Sequence, residues 1–229
     1  MTRNRQALQN CAIVTTILGV VFVIFPDIDL FVSGLFHSEG TGFWIADVSL
    51  VNHLRETIWV LILLVFALAL ILLVRANVFG SSSHSLKNVW EVAVLTYLLG
   101  PALLVDAILK SYWGRARPST IIEFGGTLEF SPAFVISTQC STNCSFVSGE
   151  GSGATAFFIT IILVMRNQTP SRFGQAIQYV AAIIASLGMV LRILMGRHFL
   201  SDTILAALFV TLITLGLLQF RRYRELRLF

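Results

Sequence analysis

Apolar stretches close to the length of a bilayer crossing recur along this chain, and they constrain its fold more than any other feature. A helix needs about 20 apolar residues to span the hydrocarbon core. Segments at 9–26, 57–75, 88–109, 151–166, 175–192 and 202–220 approach that length, the fourth and fifth only with polar flanks included. Lipid offers no partner to free backbone N–H and C=O groups, so helices are the open-chain solution. The sequence therefore predicts an all-α integral-membrane bundle of six transmembrane helices, built as one domain over residues 1–229. Composition agrees. Hydrophobic residues make up 56% and charged residues 12%, against about 25% charged in a soluble domain. The net charge of +4 is spread over helix edges and two short clusters, which argues against a nucleic-acid partner.

Orientation follows from Lys and Arg in the short loops. With both termini in the cytoplasm, Arg3, Arg5, Arg75, Lys87, Arg166, Arg172, Arg221, Arg222, Arg224 and Arg227 fall on the cytoplasmic side. Most acidic residues fall on the other side, among them Asp27, Asp29, Glu56, Glu150 and Asp202. The basic N-terminus, MTRNRQALQN, precedes an apolar stretch with no A-x-A-like site after it. It reads as a retained helix rather than a signal peptide. Of the cations left outside, Lys110, Arg115, Arg117, Arg192 and Arg197 belong to clusters, and Arg55 reads as a bystander. The connector SSSHS (81–85) looks plain, and spaced apolar residues in FHSEGTGFWIADVSLVNHL suit an interfacial helix.

Three polar segments end at the outer face: KSYWGRARP (110–118), SFVSGEGSG (145–153) and LRILMGRHFLSD (191–202). In the third, His198 and Asp202 are four apart, which puts them on one helix face. A carboxylate there can take the proton of one imidazole nitrogen and leave the other free to attack. Phosphoryl transfer spreads charge over three equatorial oxygens and calls for several cations. Lys110, Arg117 and Arg192 supply them, two as planar forks and one as a point charge. Ser148 and Gly149 stand where a helix begins, where free amides and the helix dipole favour an anion. Taken singly, each cation would more often be a helix-end residue snorkelling to the interface, and Lys110 has Asp106 at helical spacing as a simple partner. Arg115 and Arg197 suit either a second anionic group on the substrate or solvated surface. Tyr112 and Trp113 fit an aromatic belt.

The pattern K-x6-RP, a Ser-Gly turn, and R-x5-H-x3-D resembles the type-2 phosphatidic acid phosphatase (PAP2) superfamily, with the motifs in the right order and at the right helix ends. The resemblance implies His198 as the nucleophile forming a phosphohistidine and Asp202 as its orienting carboxylate. It implies Lys110, Arg117, Arg192 and the Ser148–Gly149 backbone as phosphate ligands, with no metal and no other cofactor. Two departures stand out. Leu191 replaces the family's usual Ser, and Val147-Ser148-Gly149-Glu150 replaces Pro-Ser-Gly-His. The missing histidine is the family's usual general acid. Glu150 takes that role if an apolar site and the phosphate raise its pKa; the alternative is that Glu150 only orients Arg or water.

FPDIDLFVSGLFH (25–37) and FVISTQCSTNCSFVSGE (134–150) further resemble bacterial lipid A 4′-phosphatases. That resemblance implies a phospholipid or lipid A substrate in the outer leaflet of the inner membrane and a periplasmic active site. The runners-up are an undecaprenyl diphosphate phosphatase, a phosphatidic acid or phosphatidylglycerophosphate phosphatase, and a lipid phosphotransferase. A different class would be a non-catalytic membrane carrier or binding protein. In a periplasmic loop Cys140 and Cys144 are permitted to form a disulfide, and the spacing alone leaves the bond open.

Overall fold

A computed structural model describes residues 3–80, 84–168, 171–226 and 228. Residues 81–83 of the SSSHS connector and Arg227 of the basic tail lie outside the described residues. The described residues are helical apart from loops and two isolated β-bridges, Ser38–Gly42 and Ile121–Leu128.

The long helices are α1 (Arg3–Ile24), α3 (Ser49–Val78), α4 (His84–Tyr97), α6 (Gly149–Gln168), α7 (Arg172–Leu194) and α8 (Leu200–Leu217), with a short α2 at Asp27–Gly34. α4 continues without a break as a π-helical stretch, Leu98–Leu109, and ends in the turn α5 (Lys110–Tyr112). Pro101 lies near the start of that stretch. Its ring would clash with the carbonyl four residues back and it has no N–H to give, so α-helical bonding fails there and a wider winding follows.

Five of these helices are long and apolar enough to cross a membrane: Arg3–Ile24, Ser49–Val78, His84–Tyr112, Arg172–Leu194 and Leu200–Leu217. α6 is not among them. It opens on GEGSGAT, and its residues face protein rather than lipid, with Ala154, Ala156, Phe157, Ile159 and Leu163 buried against α4, α7 and α8. A helix enclosed by others can carry small and polar residues that a lipid-facing one cannot. Gly153 shows how close the packing is, since a Cβ there would come within 3.0 Å of the Trp59 ring. α1, α3 and α7 instead turn Ile13, Ile17, Leu64, Ile71, Tyr179 and Ile183 outward, the exposed apolar surface expected of a lipid-solvated bundle.

The bundle has two ends of different character. At one, Asn4 Nδ2 donates to the Leu226 carbonyl (2.9 Å), Asn88 Nδ2 to the Arg222 carbonyl (2.9 Å), and Arg222 pairs with Glu91. The two chain ends thus meet beside α4. At the other, the segment between α5 and α6 folds back onto the helices. Trp113 stacks on Phe146 (4.7 Å between centroids) and donates Nε1–H to the Ala133 carbonyl at 2.8 Å, so it anchors this segment rather than serving an aromatic belt. Tyr112 is exposed. The interfacial helix expected between α2 and α3 is not formed. The chain makes a turn closed by the Ser38–Gly42 bridge, a 3-10 turn at Trp44–Asp47, and then α3, which starts at Ser49, earlier than its apolar core.

Candidate active site

α5, the start of α6, and the α7–α8 corner meet at the end of the bundle away from the chain termini. The corner is made by Gly196, whose φ of +61° and whose position against Phe43 admit no side chain, since a Cβ would lie 2.4 Å from that ring. His198 N and Arg197 N both donate to the Arg192 carbonyl, at 3.2 and 3.0 Å, so the corner places His198 directly after the last turn of α7. Ser119 N donates to the Gly196 carbonyl at 2.9 Å, which ties the segment after Arg117 to the same corner.

His198 is 1% exposed. Its Nδ1 lies 2.8 Å from the Ser145 carbonyl and 3.8 Å from Asp202 Oδ2. The expected direct bond to Asp202 is therefore not made, because 3.8 Å is too long for a hydrogen bond. The carboxylate reaches the imidazole through Ser145 instead: Ser145 Oγ donates to Asp202 Oδ2 at 2.5 Å, and Phe199 N donates to the same oxygen at 2.9 Å. A carbonyl only accepts, so the proton of the neutral ring sits on Nδ1 and Nε2 carries the lone pair. Burial pushes the imidazole pKa down to about 4; the Asp202 charge works against that shift, and Arg192 and Lys110 add to it. At neutral pH the ring is uncharged, with the lone pair of Nε2 free.

The cations cluster around it. Lys110 and Arg192 lie close enough to repel the protonated imidazole, and Arg117 feels Arg197 and Glu150. Lys110 Nζ is 3.4 Å from Asp106 Oδ1, the partner its spacing offers, and 3.5 Å from Asn143 Oδ1. Arg117 Nη2 donates to the Asn143 carbonyl at 2.8 Å. Arg192 Nη1 is 3.3 Å from Glu150 Oε1, and its Nε is buried with no hydrogen-bond partner among the described residues. Gly149 lies against Lys110, where a Cβ would come within 2.5 Å of Nζ.

Three placements differ from the sequence reading. Ser148 is fully buried and its N–H is spent on the Asp202 carbonyl (3.1 Å), while its Oγ accepts from Gly151 N (3.1 Å). It caps α6 rather than presenting a free amide, which leaves Gly149 and Glu150 as the first-turn amides. Arg55 is no bystander: its Nη1 lies 2.8 Å from Glu150 Oε1, so Glu150 stands between two guanidiniums. Arg115 is 0% exposed and bonded to carboxylates, so it touches neither substrate nor solvent. Arg197 is exposed. Cys140 and Cys144 are joined in a disulfide, with Cα atoms 5.6 Å apart, in the loop that carries Asn143.

Ser145 and Asp29 were missed by the sequence reading. Two carboxylates, Asp27 and Asp29, beside a membrane-spanning segment are costly unless paired, and that cost was the signal for Asp29.

A family model for the PAP2 superfamily matches residues 90–226, a stretch that holds every residue of this site except Arg55 and Asp29. The chain belongs to the PAP2 superfamily. Among relatives, the lipid A 4′-phosphatase of Francisella tularensis subsp. novicida (strain U112) is 30% identical over 201 residues, covering 85% of this chain and 86% of its own. The lipid A 4′-phosphatase of Rhizobium leguminosarum is 33% identical over 202 residues, covering 82% and 84%. A crystal structure of a transmembrane PAP2-type phosphatidylglycerolphosphate phosphatase from Bacillus subtilis is similar with a TM-score of 0.47 and 20% identity, over 88% of this chain and 94% of that one.

Proposed function

We propose that this PAP2 protein hydrolyses the 4′-phosphomonoester of lipid A through a phosphohistidine on His198, at the periplasmic face of a bacterial inner membrane. The coarser statement, a membrane lipid phosphatase acting on a phosphomonoester, stands on the family and on relatives that match most of the chain. One observation supports the finer one above others: a buried imidazole, its Nδ1 held by the Ser145 carbonyl, beside the cations Lys110 and Arg192.

In the reaction, His198 Nε2 attacks phosphorus in line. A P–N bond forms as the bond to the sugar oxygen breaks, and the leaving oxygen takes its proton from water. Lys110, Arg117 and Arg192 meet the charge that develops on the equatorial oxygens. The unpartnered Arg192 Nε is a donor ready for one of them. Glu150 holds Arg192 and Arg55 in place. Water then attacks phosphorus and gives its proton to the hydroxide left by the first step, the P–N bond breaks, and inorganic phosphate leaves with His198 restored.

The membrane arrangement we assign has both termini in the cytoplasm, α6 completing a bundle of six crossings, and the site outside. The Lys and Arg bias of the loops supports it, as does the meeting of the chain ends away from the site. The test is mass spectrometry of lipid A from cells with and without the gene. Loss of one phosphate, mapped to the 4′ position, is expected. Unchanged lipid A alongside phosphatase activity on another lipid would overturn the substrate.

A further inference from the structure

We propose that Asp29 and Arg115 are positioning residues for phosphoryl transfer, forming a buried chain, Asp29–Arg115–Asp202–Ser145, that fixes the imidazole of His198. This rests on His198 being the nucleophile.

The chain draws on four parts of the fold. Arg115, from the loop after α5, sends Nη2 to Asp29 Oδ2 of α2 (2.8 Å) and Nη1 to Asp202 Oδ1 of α8 (2.6 Å). Its Nε donates to the Ser131 carbonyl at 2.8 Å, and Nη1 also donates to Ser201 Oγ at 2.9 Å. The guanidinium lies 4.2 Å from the Phe199 ring centroid and 5.6 Å from that of Phe130. Asp29 in turn accepts Ser201 N (2.9 Å) and Ser201 Oγ (2.5 Å), so it grips the first turn of α8, one residue before Asp202. Arg115 also fixes Ser145 directly, its carbonyl accepting Ser145 N at 2.8 Å.

All three charged side chains are essentially inaccessible. Two carboxylates share one guanidinium in a site closed to solvent. Burying such a group costs more than an apolar replacement would, so stability is a poor reason for it to exist. What the arrangement does supply is a rigid direction for each Asp202 oxygen. Oδ1 is taken by Arg115, which leaves Oδ2 for Ser145 Oγ, and Ser145 then offers its carbonyl to His198 at 2.8 Å. Misplacing a nucleophile by a fraction of an ångström slows chemistry without weakening substrate binding. Among the described residues, Asp29, Arg115 and Ser201 make no side-chain hydrogen bond to Lys110, Arg117 or Arg192, so the two effects separate for substitutions at Asp29 and Ser201.

The experiment is steady-state kinetics of the full chain in detergent on lipid A bearing its 4′-phosphate, comparing wild type, His198→Ala, Asp29→Asn and Ser201→Ala. Asp29→Asn is expected to lower kcat by about tenfold or more with KM within about twofold of wild type. Ser201→Ala, the milder change, is expected to lower kcat by a few-fold, also at constant KM, and it decides the matter if Asp29→Asn does not fold. Wild-type kcat in a folded Asp29→Asn protein, or a rise in KM matching the fall in kcat, would overturn the positioning role. An inactive wild type, or a fully active His198→Ala, would instead overturn the functional reading on which it rests.

Discussion

Arg55 Nη1 lies 2.8 Å from Glu150 Oε1, which joins α3 to the first turn of α6. The same oxygen is 3.3 Å from Arg192 Nη1. Glu150 thus occupies the place where the family carries its histidine acid, yet its contacts are those of a carboxylate organising cations. The two roles differ in how they depend on the leaving group. Glu150→Gln is expected to lower kcat/KM by about tenfold, the scale of one lost charge-assisted contact, and by the same factor for a lipid phosphate with an acidic, easily expelled leaving group. Paired kinetics on the two substrates check this. A defect that vanishes with the better leaving group would restore the general acid.

The buried imidazole makes stability depend on pH. Burial holds the His198 pKa at about 4, below its ordinary 6.5. The unfolded chain therefore takes up this proton as pH falls through 6.5, while the folded site refuses it until about 4. His198's contribution is complete above the higher value and is lost as pH falls through the window between them. The apparent melting midpoint of wild type in detergent should drop more between pH 7.5 and 5 than that of His198→Gln. Equal drops would contradict a buried neutral ring.

The disulfide loop bears on the phosphate-binding role proposed for Arg117. Arg117 donates to the Asn143 carbonyl at 2.8 Å, and Cys140–Cys144 closes the loop around Asn143. Cys140→Ser with Cys144→Ser should free that carbonyl. Loss of one such contact is worth about 1 kcal/mol, or roughly a fivefold rise in KM, with kcat little changed. Kinetics with and without the two substitutions test it, and an unchanged KM would show that Arg117 holds its place unaided.

Much of this arrangement was legible beforehand, for physical reasons. Apolar runs marked the helices because lipid leaves a chain no other option, and the spacing of Lys110, Arg117, Arg192, His198 and Asp202 pointed to a phosphate site. α6 fell short as a crossing by composition because its polar start is covered by protein, which no local window can register. The partners of Arg55 and Asp29 were invisible for a related reason: the contacts span 95 residues to Glu150 and 172 to Ser201, and nothing local encodes them. The four-residue spacing put His198 close to Asp202, at 3.8 Å, but not on a shared helix face, since α8 begins at Leu200 and His198 lies in the corner before it. Nor could spacing show that the Ser145 carbonyl, arriving from another segment, accepts from Nδ1 first. The Cys140–Cys144 spacing allowed a bond without requiring it; the fold of the loop decides it.

The central claim is that the imidazole of His198 carries phosphate during turnover. Rapid quenching of the purified protein with lipid A labelled in its 4′-phosphate, followed by proteolysis under alkaline conditions, tests that claim most directly. The expected result is an acid-labile, alkali-stable label on the peptide containing His198, absent from His198→Ala, which should also release no phosphate. A His198→Ala protein that turns over at the wild-type rate, with no labelled peptide in either, would contradict it.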